Sequence, residues 1–164
     1  MATPTTFRKL RVLIVEDVTE MAALLGCMVE SISGAHVCAH AANLWEARLE
    51  VSRNRPDLVL LDEVLPGESG LDFLPELVEL GIPAVLISGV QETVSARGAS
   101  LPRGALGRLK KPELMVESGR KPARLDWSEI QLRLTDWIQE LNSSSGKSPD
   151  RSPNKFPNKC KDEC

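Results

Sequence analysis

The chain has 164 residues, 42% of them hydrophobic and 26% charged, with a net charge of −3, enough for one well-packed domain but hardly for two. The mild, mixed charge argues against a direct nucleic-acid surface and against a polybasic membrane patch. No apolar run approaches the roughly 20 residues that span a bilayer, and Met1 to Lys9 lacks a secretory leader's apolar core and cleavage site, so a cytoplasmic protein is expected.

Leu10 to Val15 (LRVLIV) is a nearly continuous apolar run, the pattern of a strand covered on both faces. Thr19 to Ile32 is helical, with Met21, Leu24, Leu25, Met28, Val29 and Ile32 at intervals of three and four, and Thr19 as its expected cap. His36 to Ala41 reads as a second strand after a turn at Gly34. Asn43 to Arg53 is a second helix, capped by Asn43, with Leu44, Ala47 and Val51 inward. Asp57 to Leu61 (DLVLL) is a third strand. Ser69 to Leu80 reads as one helix closed by Gly81, and Pro83 to Ile87 as a fourth strand. Gln91 to Arg97 is a short helix, Ala105 to Leu109 a fifth strand interrupted by Gly107, and Glu113 to Arg124 a loop. The last helix starts at Asp126, with Glu129 as the reciprocal cap partner. Its stripe is Trp127, Ile130, Leu134, Trp137, Ile138 and Leu141, and core packing is the expectation for both tryptophans.

Strands and helices alternating about every 20 residues specify an α/β fold, a doubly wound parallel five-stranded sheet with helices on both faces. One domain over residues 8–141 is expected, followed by a Ser-, Lys-, Asn- and Pro-rich tail, 142–164, that has little to bury and is expected to be disordered. Cys27 and Cys38 lie in apolar-patterned segments and are expected in the core. Cys160 and Cys164 stand in the tail with no histidine near them, too few ligands for zinc.

The carboxyl ends of the strands in such a sheet open into one crevice. Glu16 and Asp17 follow the first strand, Asp62 and Glu63 the third, Ser88 the fourth and Lys111 the fifth. Crowded carboxylates call for a hard divalent cation such as Mg²⁺. A carboxylate beside that cation can attack a phosphoryl group as a nucleophile, while a hydroxyl and an ammonium stabilise the transferring oxygens. Asp62, Ser88 and Lys111 are the matching groups.

The segments LRVLIVEDVTEM, PDLVLLDEVLPGESGLDFL and PAVLISG and the pair Lys111–Pro112, in that order, resemble the signature regions of response-regulator receiver domains, over about residues 8 to 141. The resemblance implies a flavodoxin-like, CheY-like fold. It implies Asp62 as phosphoacceptor, taking phosphate from a sensor histidine kinase or a phosphotransfer protein. It implies Mg²⁺ held by Asp17, Glu16, Asp62 and the backbone carbonyl of Val64. Ser88 would move toward the phosphoryl group, and Lys111 would pair with Asp62 or its phosphate, aimed inward by a cis Lys111–Pro112 bond. Lys110 is the neighbour most easily confused with Lys111, and Lys121–Pro122 is a decoy with no strand before it.

Three features depart from the family. Arg108 stands where receivers carry an inward-turning Tyr or Phe, the fourth helix is short and interrupted, and the fifth is delayed. The expected function is a single-domain response regulator in a two-component phosphorelay, not an enzyme beyond its own phosphotransfer and dephosphorylation. It would signal by binding an unidentified output protein. The alternative within the family is an interaction module that works without phosphorylation. A haloacid-dehalogenase-type phosphatase needs a second Asp where Val64 stands, and a dinucleotide fold needs glycines where Glu16 and Asp17 stand.

Overall fold

The computed structural model describes residues 8–89, 100–111 and 128–144. Strands β1 (Leu10–Val15), β2 (Ala35–Ala41), β3 (Leu58–Asp62), β6 (Ala84–Ser88) and β7 (Ala105–Lys110) form one five-stranded sheet in the order β2-β1-β3-β6-β7. Every pairing in it is parallel. A two-residue hairpin, β4 (Val64–Leu65) with β5 (Glu68–Ser69), leaves the end of β3.

The alternation of buried side chains along the strands divides the core in two. On one face Val12, Ile14, Leu58, Leu60, Val85 and Ile87 pack under α1 (Thr19–Ser31) and α4 (Ser128–Ser144). On the other Leu13, Val15, Val59, Leu61 and Leu86 pack under α2 (Leu44–Asn54) and α3 (Leu74–Leu80). Strands covered on both sides are what the unbroken apolar runs require. The strand order reverses between β1 and β3, which puts the crevice beside those two strands. Among the described residues no helix is long and apolar enough to cross a membrane.

Helix ends account for most differences from the expected elements. Asn43 caps α2 as expected, its Oδ1 accepting from the Glu46 N–H at 2.9 Å. The Leu44 N–H donates to Glu68 Oε1 at 2.8 Å, so the hairpin after β3 also ties down the start of α2. Thr19 does not cap α1. Val18 holds the cap position without a side-chain bond, and its own N–H donates to Glu16 Oε1 at 3.2 Å.

The expected helix Ser69–Leu80 is three pieces: strand β5, a 3₁₀ turn Gly70–Phe73 and then α3. The cause is a close approach. The Gly70 N–H donates to the Glu63 carbonyl at 3.0 Å, and a Cβ on Gly70 would stand 1.9 Å from the Asp62 carbonyl oxygen. The chain therefore stays against the end of β3 for one tight turn, and the α-helix begins where Pro75 suits its first turn. Gly81 then closes α3 with φ 68°.

Cys27 is exposed, contrary to its expected place in the core. It shares an outward stripe of α1 with Ala23 and Glu30, while Met21, Leu25 and Met28 face in. Cys38 is half-buried on the edge strand, and burial pushes its thiol up from the ordinary value. Helix α4 runs to Ser144, past the expected start of the tail, and Asn142 Nδ2 donates to the Gly34 carbonyl at 3.3 Å. Ile130, Leu134 and Ile138 are buried, and Trp137 is half-buried against the same cluster. Trp127, the Asp126 cap, the Gln91–Arg97 helix, the Glu113–Arg124 loop, Pro112 and the cysteines of the tail lie outside the described residues.

Candidate functional site

Each strand end delivers what the crevice argument expects. Asp62 is the last residue of β3 and Ser88 the last of β6. Glu16 and Asp17 follow β1, and the Glu16 N–H is fixed by the Ala41 carbonyl of β2 at 2.9 Å. Lys111 follows β7, its N–H donating to the Ser88 carbonyl at 2.7 Å. One carboxylate oxygen from each of Glu16, Asp17 and Asp62 lies within 4.8 Å of the others.

Asp62 is 1% exposed and Glu16 3%, so both charges sit in a medium far less polar than water. Lys111 Nζ donates to Asp62 Oδ2 and, at 3.0 Å, to Glu16 Oε1. Asp62 Oδ1 accepts from the Val64 N–H at 3.1 Å. Burial pulls Lys111 down, but its bonds to Asp62 and Glu16 outweigh that and hold it above the ordinary lysine value. Glu16 is pushed above the ordinary glutamate value first by burial and further by the charge of Asp62, with Lys111 acting against both.

One cation cannot balance this set. Three carboxylates stand against one ammonium among the described residues. Two negative charges at the cluster's limiting spacing of 4.8 Å repel by about 3 kcal/mol at an effective dielectric of about 20. Glu16 Oε2 is buried at ion-pair distance from Lys111 Nζ, 2.9 Å, but receives no hydrogen bond. Three clustered carboxylates with excess negative charge and an all-oxygen donor set fit a hard divalent cation. Chemically, the arrangement offers a fixed carboxylate nucleophile, an ammonium beside it and a place for a cation.

Comparison with known proteins bears on the family and the fold. A family model described as the response regulator receiver domain matches residues 12–117. The chain belongs to the response regulator receiver family. This receiver is 36% identical over 115 residues to the protein-glutamate methylesterase/protein-glutamine glutaminase of Pyrococcus abyssi, covering 69% of this chain and 31% of that one. It is also 36% identical over 112 residues to a protein of that name from Shewanella oneidensis, covering 67% and 32%. The receiver thus spans about a third of the length of these curated relatives. Among solved structures, the response regulator domain of Thermotoga maritima CheB superposes with a TM-score of 0.64 at 22% identity, over 83% of this chain and 98% of that one. A CheY-like receiver domain protein from Methanospirillum hungatei superposes with a TM-score of 0.61 at 20% identity, over 83% and 98%. At such identities the superpositions show the shared fold.

Glu16, Asp17, Asp62, Ser88 and Lys111 therefore meet at one edge of the receiver, with the Val64 backbone beside Asp62. The Val64 side chain points away, 74% exposed. Arg108 also reaches this edge, through a partner that sequence reasoning did not assign. Its Nε donates to Glu63 Oε1 at 2.8 Å, and its Nη2 lies 2.7 Å from the same oxygen. Gly70, whose missing side chain makes room for the Asp62 carbonyl, was also missed. An isolated glycine inside an apparent helix was the available signal.

Proposed function

We propose that this receiver is the phosphoacceptor of a two-component relay, taking a phosphoryl group on Asp62 from the phosphohistidine of a sensor kinase or phosphotransfer protein. The observation that carries the reading is a buried carboxylate held from two sides, by Lys111 on one oxygen and the Val64 N–H on the other, next to two further carboxylates. Mg²⁺ is the cation that suits the set, and Glu16, Asp17, Asp62 and the Val64 carbonyl would hold it. When bound it would neutralise the cluster and draw charge from the phosphoryl oxygens.

The chain's own groups carry the rest. An Asp62 oxygen attacks phosphorus as the phosphorus–nitrogen bond breaks, and the departing imidazole keeps the electron pair and takes a proton. The Val64 N–H keeps the carboxylate from turning away. Lys111 gives up part of its contact with Asp62 and meets the incoming phosphoryl oxygens, since the attacked carboxylate loses its negative charge on becoming an acyl phosphate. The Ser88 hydroxyl, at the end of the neighbouring strand, is the group placed to bind a phosphoryl oxygen.

The reaction ends on the protein itself, so we read the molecule as a switch and not as an enzyme. Phosphorylation would shift a two-state equilibrium and alter affinity for an output protein in the cytoplasm. A second reading, a receiver that binds its partner without phosphorylation, is favoured by one observation: position 108 holds an ion-paired arginine. Phos-tag electrophoresis after incubation with acetyl phosphate and Mg²⁺ separates the two. The switch reading expects a retarded band for the wild type, none for Asp62→Asn and none with a chelator. An unshifted wild type leaves only the second reading.

A further inference from the structure

Glu63 lies between the acceptor Asp62 and Val64, and it is tied in three directions. Its N–H donates to the Ile87 carbonyl of β6 and its carbonyl accepts from the Gly70 N–H, both at 3.0 Å. Its side chain pairs with Arg108 of β7, and both side chains are mostly buried. Arg108 is itself held from behind, because Arg133 Nη1 of α4 donates to the Arg108 carbonyl at 3.0 Å. The Arg133 guanidinium stacks on Trp137 at 5.0 Å from the ring centroid. The Trp137 ring in turn occupies the space that a side chain at Gly107 would need. The residue after the acceptor is thus clamped to an edge strand whose own position is set by a helix.

An arginine is suited to that clamp. Its Nε donates to Glu63 Oε1 while its Nη2 lies at ion-pair distance from the same oxygen, so one edge of a planar, permanently charged group holds the carboxylate. A shift of the Glu63 peptide would tilt the backbone at both Asp62 and Val64, the two neighbours that the proposed cation site draws on. We propose that Arg108 is a positioning residue for the acceptor site, acting through Glu63 to hold the Asp62–Val64 backbone in the geometry that serves a divalent cation. This rests on the reading of the site given above as a cation-assisted phosphoacceptor.

Sign distinguishes positioning from a simple charge effect. If only the field mattered, Arg108→Met would leave the Glu63 charge uncompensated and tighten cation binding. Glu63→Gln would leave the arginine charge uncompensated and weaken it. If the pair positions the backbone, both changes loosen the same loop and both weaken binding.

The test is a titration of the whole chain with Mg²⁺ alone, followed by amide NMR shifts. Expected is an affinity weakened by about tenfold in each single variant, the range in which groups that orient metal ligands act. The double variant should be no weaker than either single one, since both act through one contact. Arg108→Lys, which keeps the charge and loses the planar fork, should fall between wild type and Arg108→Met, and it guards against reading a folding defect as a positioning effect. Opposite shifts for the two single variants, unchanged affinities, or a wild type without Mg²⁺ affinity would overturn the role. The titration needs no phosphoryl transfer, so a wild type that binds Mg²⁺ yet takes nothing from acetyl phosphate defeats the acceptor reading and leaves the positioning role standing.

Discussion

At the amino end of β3, Asp57 accepts from Arg8 Nη2 through both oxygens at 3.1 Å and from the Arg11 N–H at 2.9 Å. At the carboxyl end of the same strand, Asp62 shares one ammonium with Glu16 while Asp17 adds a third carboxylate. The first end is open to water, Arg8 being 70% exposed, and its carboxylate is fully bonded. At the second, Asp62 and Glu16 are buried and Asp17 half-buried, and among the described residues three carboxylates face one ammonium. Both clusters look alike as lists of charged residues. Burial and the balance of charge make one a structural tie and give the other the makings of a cation site.

The contrast breaks most completely at Asp62. Asp62→Asn keeps the shape of the site and removes the nucleophile, so phosphoryl uptake from acetyl phosphate should vanish, as read by intact-protein mass. Uptake at the wild-type level in that variant would place the acceptor elsewhere. Next in size is Lys111→Met. It strips the buried Asp62 and Glu16 of the one ammonium paired with them among the described residues and should destabilise the fold by about 3 kcal/mol, measured by urea unfolding without divalent ions. Adding Mg²⁺ should recover more stability in this variant than in the wild type, because the cation replaces the missing charge. A variant as stable as the wild type in chelator would mean that the carboxylates do not depend on Lys111.

A smaller effect follows from Glu16. Its folded-state value is raised above 4.5, so the folded chain holds that proton more tightly than the unfolded one. Without divalent ions, stability should therefore fall as pH rises from about 4.5 through the folded value. Glu16→Gln should flatten that slope, and an unchanged slope in urea midpoints across the window counts against burial as its cause. Lys111, raised above 10.5, contributes in full below that pH, and its contribution is lost as pH rises through the folded value. The least effect belongs to the open end. Arg8→Ala should cost under about 1 kcal/mol, with no change in Mg²⁺ affinity. A larger loss would show that the exposed tie matters more than its exposure allows.

The sheet and the site were legible in the residues for one reason: buried parallel strands write continuous apolar runs, and the groups just beyond them share an edge. LRVLIV with Glu16 and Asp17, and DLVLL with Asp62, needed no tertiary knowledge. Features made by contacts between distant segments were not legible. The Glu63–Arg108 pair spans 45 positions. The break in the third helix depends on Gly70 meeting the Asp62 carbonyl, which no local preference announces. Gly107 looked like a flaw in a strand and is the seat of Trp137. Cys27 followed an apolar pattern but fell on its outer side, and α4 outran its expected end because Asn142 finds the Gly34 carbonyl.

The most direct test of the account is to find which atom carries the phosphoryl group. Wild-type protein treated with acetyl phosphate and Mg²⁺ is reduced with borohydride, which converts an aspartyl phosphate to homoserine, and its peptides are sequenced by mass spectrometry. The account predicts homoserine at position 62 and at no other aspartate. Homoserine at Asp17 or Asp57, or none at any position, would contradict it.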